Sequence, residues 1–162
     1  MANRVYKESQ TYRGTWVFYL ILLVELPTLI LLAVLFFTSE EKKETGIALV
    51  FVFGVMSLVL ALILNIKLET RIDHQGIQFR YLPFIRKWRL LSKASIISAE
   101  VISFNPLLDF GGWGMKGNRT TKLFNITGNQ GLLVESGASK KILLGTLKAK
   151  ELKSFLEDWI EE

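Results

Sequence analysis

Two apolar runs, Thr15 to Phe37 and Gly46 to Ile66, constrain this chain more than any other feature. The first has 23 residues and one charge, Glu25; the second has 21 residues and none. A helix needs about 20 residues at ~1.5 Å each to cross ~30 Å of hydrocarbon. Both runs are long enough, and neither has the polar face that a soluble core helix shows to water. They predict a helical hairpin over residues 15–66, with spans 15–37 and 46–66 joined by the polar link 38–45. Reading residues 1–37 as a signal peptide fits less well. The apolar region is too long, and Phe36-Phe37-Thr38-Ser39-Glu40 offers no small-x-small cleavage site.

Charge sets the expected orientation. The chain carries a net +5. Residues 1–14 hold Arg4, Lys7 and Arg13 against Glu8, whereas the link holds Lys42 and Lys43 against Glu40, Glu41 and Glu44. Residues 67–93 hold seven basic side chains against Glu69 and Asp73. Lysine and arginine beside a span stay on the cytoplasmic side. Both termini are therefore expected in the cytoplasm, with residues 1–14 as a polar segment short of regular structure. Tyr12, Trp16 and Tyr19 mark the inner interface, where amphipathic rings favour the headgroup level.

Within the spans, Glu25 and Pro27 stand out. Pro27 removes a backbone donor and predicts a kink near Leu23. Glu25 lies about ten residues from the inner end, near mid-membrane, where a carboxylate costs roughly 2.5–3.5 kcal/mol. The apolar neighbours offset that cost. Gly54, Ser57 and Ala61 are spaced by three and four, so they share a helix face, and small residues let helices approach closely. This predicts that they face the first helix and that Ser57 meets Glu25 as an intramembrane polar pair. The pair serves either as a structural bond or as the working carboxyl of a small transporter or sensor subunit.

The chemistry classes are bounded by what the chain lacks. It has no cysteine, which excludes disulfides, thiol catalysis and cysteine metal sites. The one histidine, His74, cannot build a multi-histidine metal centre. No phosphate-binding loop, nucleophile elbow or histidine-glutamate metal motif is present. We expect no catalytic residues, no metal, no cofactor and no enzyme.

From Leu68 the apolar residues fall into short alternating runs bounded by turn residues, which predicts strands. They cover residues 68–73, 77–82, 86–91, 96–104, 122–127, 132–135 and 141–144. Leu152, Phe155, Leu156, Trp159 and Ile160 then repeat at helical spacing, with Thr146 as an N-cap. Residues 68–162 thus form one domain of about seven antiparallel strands in two sheets, closed by a C-terminal amphipathic helix.

The residues 72–77 (Ile-Asp-His-Gln-Gly-Ile), Phe104-Asn105-Pro106, Gly111-Gly112-Trp113-Gly114-Met115, 125–131 (Asn-Ile-Thr-Gly-Asn-Gln-Gly) and 140–146 (Lys-Lys-Ile-Leu-Leu-Gly-Thr) follow a recognisable order. With the two spans, they make the chain resemble bacterial two-transmembrane-helix proteins with a pleckstrin-homology-like domain. The resemblance covers most of residues 68–162. It implies seven strands in two near-orthogonal sheets plus the helix, and carries little activity over. A proline expected just inside that helix is missing from Leu147–Leu152.

Two surfaces are candidates for function. Arg80, Arg86, Lys87, Arg89 and Lys93 form a basic cluster close in sequence to the second span, and anionic headgroups attract each such residue by about 1 kcal/mol. Gly111, Gly112, Trp113 and Gly114 form a loop that packs structurally or meets a partner. The expected function is a membrane-anchored binding or assembly module. Its partners are the bilayer, a protein partner or a second copy, and possible anionic lipids. Nucleic acid is not expected, because no aromatic platform interleaves the charges.

Overall fold

The computed structural model describes residues 4–161. The chain divides into two compact units. Tyr12–Ile66 forms one, and the chain before and after it forms the other.

The first unit is a pair of helices, α1 (Trp16–Thr38) and α2 (Lys42–Asn65). Both are long and apolar enough to cross a membrane. Neither buries any residue, and side chains such as Leu23 and Phe51 are about 70% exposed. Apolar surface left outward on this scale suits a lipid solvent. α2 starts four residues earlier than the apolar run, since Lys42–Thr45 are already helical. α1 runs through Pro27, and Thr28 Oγ1 donates to the Val24 carbonyl at 2.8 Å.

The half-buried residues of each helix form a stripe. On α1 it contains Val17, Ile21, Glu25, Thr28, Leu32 and Phe36; on α2 it contains Leu49, Val52, Met56, Leu60 and Ile63. The helices pack along these stripes, and a Cβ on Gly46 would come 3.2 Å from the Phe36 ring. The predicted seam of Gly54, Ser57 and Ala61 is not the contact between the helices. All three are exposed, and a Cβ on Gly54 would meet nothing within 4 Å. Glu25 does lie on the contact stripe, but among the described residues no hydrogen bond joins it to Ser57. Bulky Leu, Val and Met fill the seam, so helix separation is set by their volume and not by the small residues.

The second unit contains two sheets. β1 (Tyr6–Thr11), β2 (Lys67–Asp73), β3 (Gly76–Leu82) and β4 (Ile85–Ser92) form a four-stranded antiparallel sheet in that order. The second sheet contains β5 (Ser98–Ser103), β6 (Gly114–Gly117), β7 (Thr121–Asn125), β8 (Gln130–Glu135) and β9 (Lys141–Gly145), ordered β5-β8-β9-β7-β6. Its pairs are antiparallel except β7 with β9, which are parallel. A short helix α3 (Pro106–Phe110) precedes β6, and α4 (Ala149–Glu161) ends the chain.

The inner faces supply the core. Leu68, Ile72, Ile77, Phe79 and Tyr81 from the first sheet and Leu132, Val134 and Leu144 from the second are each 1% exposed or less, and Leu123 and Leu143 are as deeply buried on the opposite face of the second sheet. The Phe79 and Phe124 rings, 5.0 Å apart, join the sheets. Leu152, Leu156 and Trp159 of α4 are buried, and Trp159 Nε1 donates to the Asp73 carbonyl at 2.8 Å. Burying each such side chain contributes about 1.5–3 kcal/mol. Ile160, expected on the apolar stripe, is exposed. The helix begins at Ala149, and the Thr146 hydroxyl accepts from the Lys148 N–H at 3.0 Å, ahead of the first turn.

All seven expected strands are present, and two more accompany them. β6 lies in the glycine-rich loop. β1 lies in the segment read as a polar tail, so residues 1–14 are not a separate piece: Tyr6 to Thr11 pair with Ile72 to Lys67 of β2. β1 was illegible because its inner face is Tyr6, Glu8 and Gln10, two of them polar. Most of their polarity is satisfied internally, Gln10 Oε1 being buried without a hydrogen-bond partner. Glu8 accepts from the hydroxyls of Tyr6 and Thr146, both at 2.6 Å. It also accepts from the Gln10 amide at 3.0 Å and the Leu147 N–H at 2.8 Å. Gln10 in turn donates to the Gly145 carbonyl at 2.7 Å. Burial, reinforced by the bond to Glu8, pushes the Tyr6 phenol well above its ordinary pKa.

Candidate functional site

The five basic residues of the sequence cluster point to different places. Arg80, on the outer face of β3, pairs with Glu69 and lies 4.7 Å from the Trp88 ring centroid. Glu69 also pairs with Lys67 at 2.5 Å, and Arg71 pairs with Asp73 at 3.1 Å. Partial burial opposes ionisation of Glu69, but the bonds and charges of Arg80 and Lys67 outweigh it and hold the carboxyl below its usual range. In the groove on this face, about 330 Å³ and lined by Lys7, Glu69, Arg71, Arg80 and Trp88, both arginines are therefore already engaged in ion pairs. Lys93 is committed to α4: its Nζ donates to the Trp159 carbonyl at 2.6 Å and sits 4.7 Å from that ring. Arg86 and Lys87 are exposed on β4.

Arg89 is placed differently. It is the register partner of Phe79, on the face turned to the second sheet. β4 and β6 are the outer strands of their sheets, and the space between them opens into a cleft of about 530 Å³. Phe84, Ile85, Met115 and Phe124 supply its apolar surface, and Arg89, Lys116, Lys122 and Lys140 its charge. Lys122 and Phe124 are two residues apart on β7, so both lie on the face turned to the first sheet. No acidic residue lines the cleft. Among the described residues none of its four cations forms an ion pair. This unneutralised charge over an apolar floor can hold an anionic group attached to an apolar one.

The Gly111–Gly114 loop is a packed structure. Asn105 caps α3 by accepting from the N–H groups of Leu107 and Leu108, and Gly111 closes it in the left-handed conformation. Gly111, Gly112 and Gly114 have φ of 72°, 128° and 98°, angles that side chains resist. Trp113 is half-buried, and its Nε1 donates to the Gly128 carbonyl at 3.3 Å. The Asn-Pro opening and double glycine are an N-cap, a first-turn proline and a C-cap, a signal from which α3 was readable.

His74 is exposed in the β2–β3 turn. Among the described residues no group of three or more His, Asp or Glu side chains is arranged to hold a metal. The cleft was missed by sequence reasoning because its cations come from β4, β6, β7 and the segment before β9, scattered over more than fifty positions. No family model, curated protein or solved structure matches this chain.

Proposed function

We propose that this chain is a multi-pass protein of the bacterial cytoplasmic membrane whose pleckstrin-homology-like domain recruits a protein partner at the inner leaflet. The observation that carries this reading is the insertion of the apolar hairpin between two paired strands. Thr11 leaves the sheet and Lys67 returns to it as direct neighbours. The domain thus has two covalent ties to the hairpin, and β2 starts two residues after α2 ends. A bilayer cannot divide one folded sheet, so β1 and residues 67–161 share one side. The basic flanks support the cytoplasm as that side. Two sheets and a C-terminal helix support the pleckstrin-homology-like reading.

The test is photo-crosslinking in intact cells, with the reactive side chain replacing Lys87 on β4 and, separately, Leu108, which is 84% exposed on α3. A recurrent protein adduct from either position is expected. Lipid adducts alone from both would overturn the recruitment reading.

A further inference from the structure

We propose that the cleft between β4 and β6 receives an extended acidic segment of the partner protein, which adds as a strand along the free edge of β4. The inference rests on the recruitment reading and specifies the partner's chemistry.

Three observations combine. First, β4 is eight residues long and ends its sheet, so its outer backbone groups have no strand partner. Arg86 to Leu90 are all exposed. A free edge of that length is a template for main-chain hydrogen bonding, the interaction that gives strand addition its affinity.

Second, charge surrounds this edge. Arg86, Lys87 and Arg89 lie on β4, and Lys116 and Lys122 lie across the cleft. Cations on an edge strand ordinarily guard it against self-pairing. Here they do so for a second copy of this chain, whose own edge would bring the same charges. They leave the edge open to a strand bearing carboxylates, because none of the cleft cations is already neutralised. The contrast with the outer groove, where Glu69 is bound by Arg80 and Lys67, shows that the chain can pair such charges when pairing is their role.

Third, the cleft has an apolar floor. A strand lying along β4 presents alternate side chains to it, since successive residues point to opposite faces. Carboxylates facing inward would meet Arg89, Lys116 and Lys122 above that floor, and apolar side chains on the other face would lie beside the exposed Trp88 and Leu90 of β4. The ligand class is therefore an extended peptide alternating apolar and acidic residues.

The experiment uses the full chain in nanodiscs of phosphatidylcholine and a fluorescein-labelled peptide of alternating valine and glutamate, as long as β4. Fluorescence anisotropy should report saturable binding, weakened about tenfold or more by Lys116→Glu with Lys122→Glu, since close charge pairs carry 1.4 kcal/mol or more. Alternating N-methylation of the peptide backbone removes its donors without touching the protein and should weaken binding similarly. Undiminished binding of the N-methylated peptide would overturn strand addition, as would failure of the parent peptide to bind. If phosphatidylglycerol in the nanodisc displaces the peptide and the displacement needs the same two lysines, the cleft is a lipid site and the proposal fails. Crosslinks to a protein from Leu108, together with failure of the peptide, would leave the recruitment reading standing and this inference overturned.

Discussion

Glu8 is the residue on which attachment of the first strand depends. Its carboxylate gathers the Tyr6 and Thr146 hydroxyls and the Gln10 amide, all from buried residues, and the Leu147 N–H. A buried donor left without its acceptor costs about 1–3 kcal/mol. Glu8→Ala orphans several at once, and relaxation of the hydroxyl rotors recovers part of the loss. We expect a destabilisation of about 2–4 kcal/mol, read as a lowered unfolding midpoint of the detergent-solubilised chain. A midpoint unchanged by this substitution would mean that the network is solvated. In the sequence Glu8 looked like one charge in a polar tail. Its role was invisible because its partners Thr146 and Leu147 lie at the far end of the chain.

At the scale of elements, legibility followed the source of each element's stability. β2 and β3 alternate apolar and polar residues, β8 and β9 carry short apolar runs between turn residues, and α4 carries its stripe, so each was readable. β1 buries polar residues and was not. α1 and α2 were readable as spans, since length and apolarity suffice, but their mutual packing was not. Small-residue spacing pointed to Gly54, whereas the seam closes at Gly46 against Phe36. The two glycines therefore respond differently. Gly54→Leu should leave hairpin stability nearly unchanged, because its Cβ enters open space. Gly46→Leu should strain the helix contact by about 1–3 kcal/mol, the usual range for overpacking. Steric-trapping or denaturant unfolding of the two variants in matched detergent checks the order, and equal effects would contradict the observed stripe.

At the scale of the whole molecule, the hairpin interrupts a sheet where the sequence suggested a hairpin followed by a domain. This arrangement makes a topological prediction that the absence of cysteine renders clean. Single cysteines at Glu41 in the link, Lys7 on β1 and Lys150 on α4 can each be tested with a membrane-impermeant maleimide. Glu41→Cys should label in intact cells, and Lys7→Cys and Lys150→Cys only after permeabilisation. Lys7→Cys labelling with Glu41→Cys would place β1 across the membrane from β2 and break the single sheet.

The sequence alone determined that two helices can span a bilayer, that seven strands and a closing helix follow, and which residues of that later region are apolar enough to form a core. These properties are local: they depend on run length and periodicity within one segment. Only the tertiary structure decided that residues 6–11 complete the first sheet, that Arg80, Lys93 and Lys140 are occupied by Glu69, Trp159 and Asn118, and that Arg89, Lys116 and Lys122 meet at one cleft without an ion pair. The reason is that pairing and neutralisation are relations between distant residues. A charge reads the same in sequence whether its partner lies across a strand or is still to be supplied by another protein.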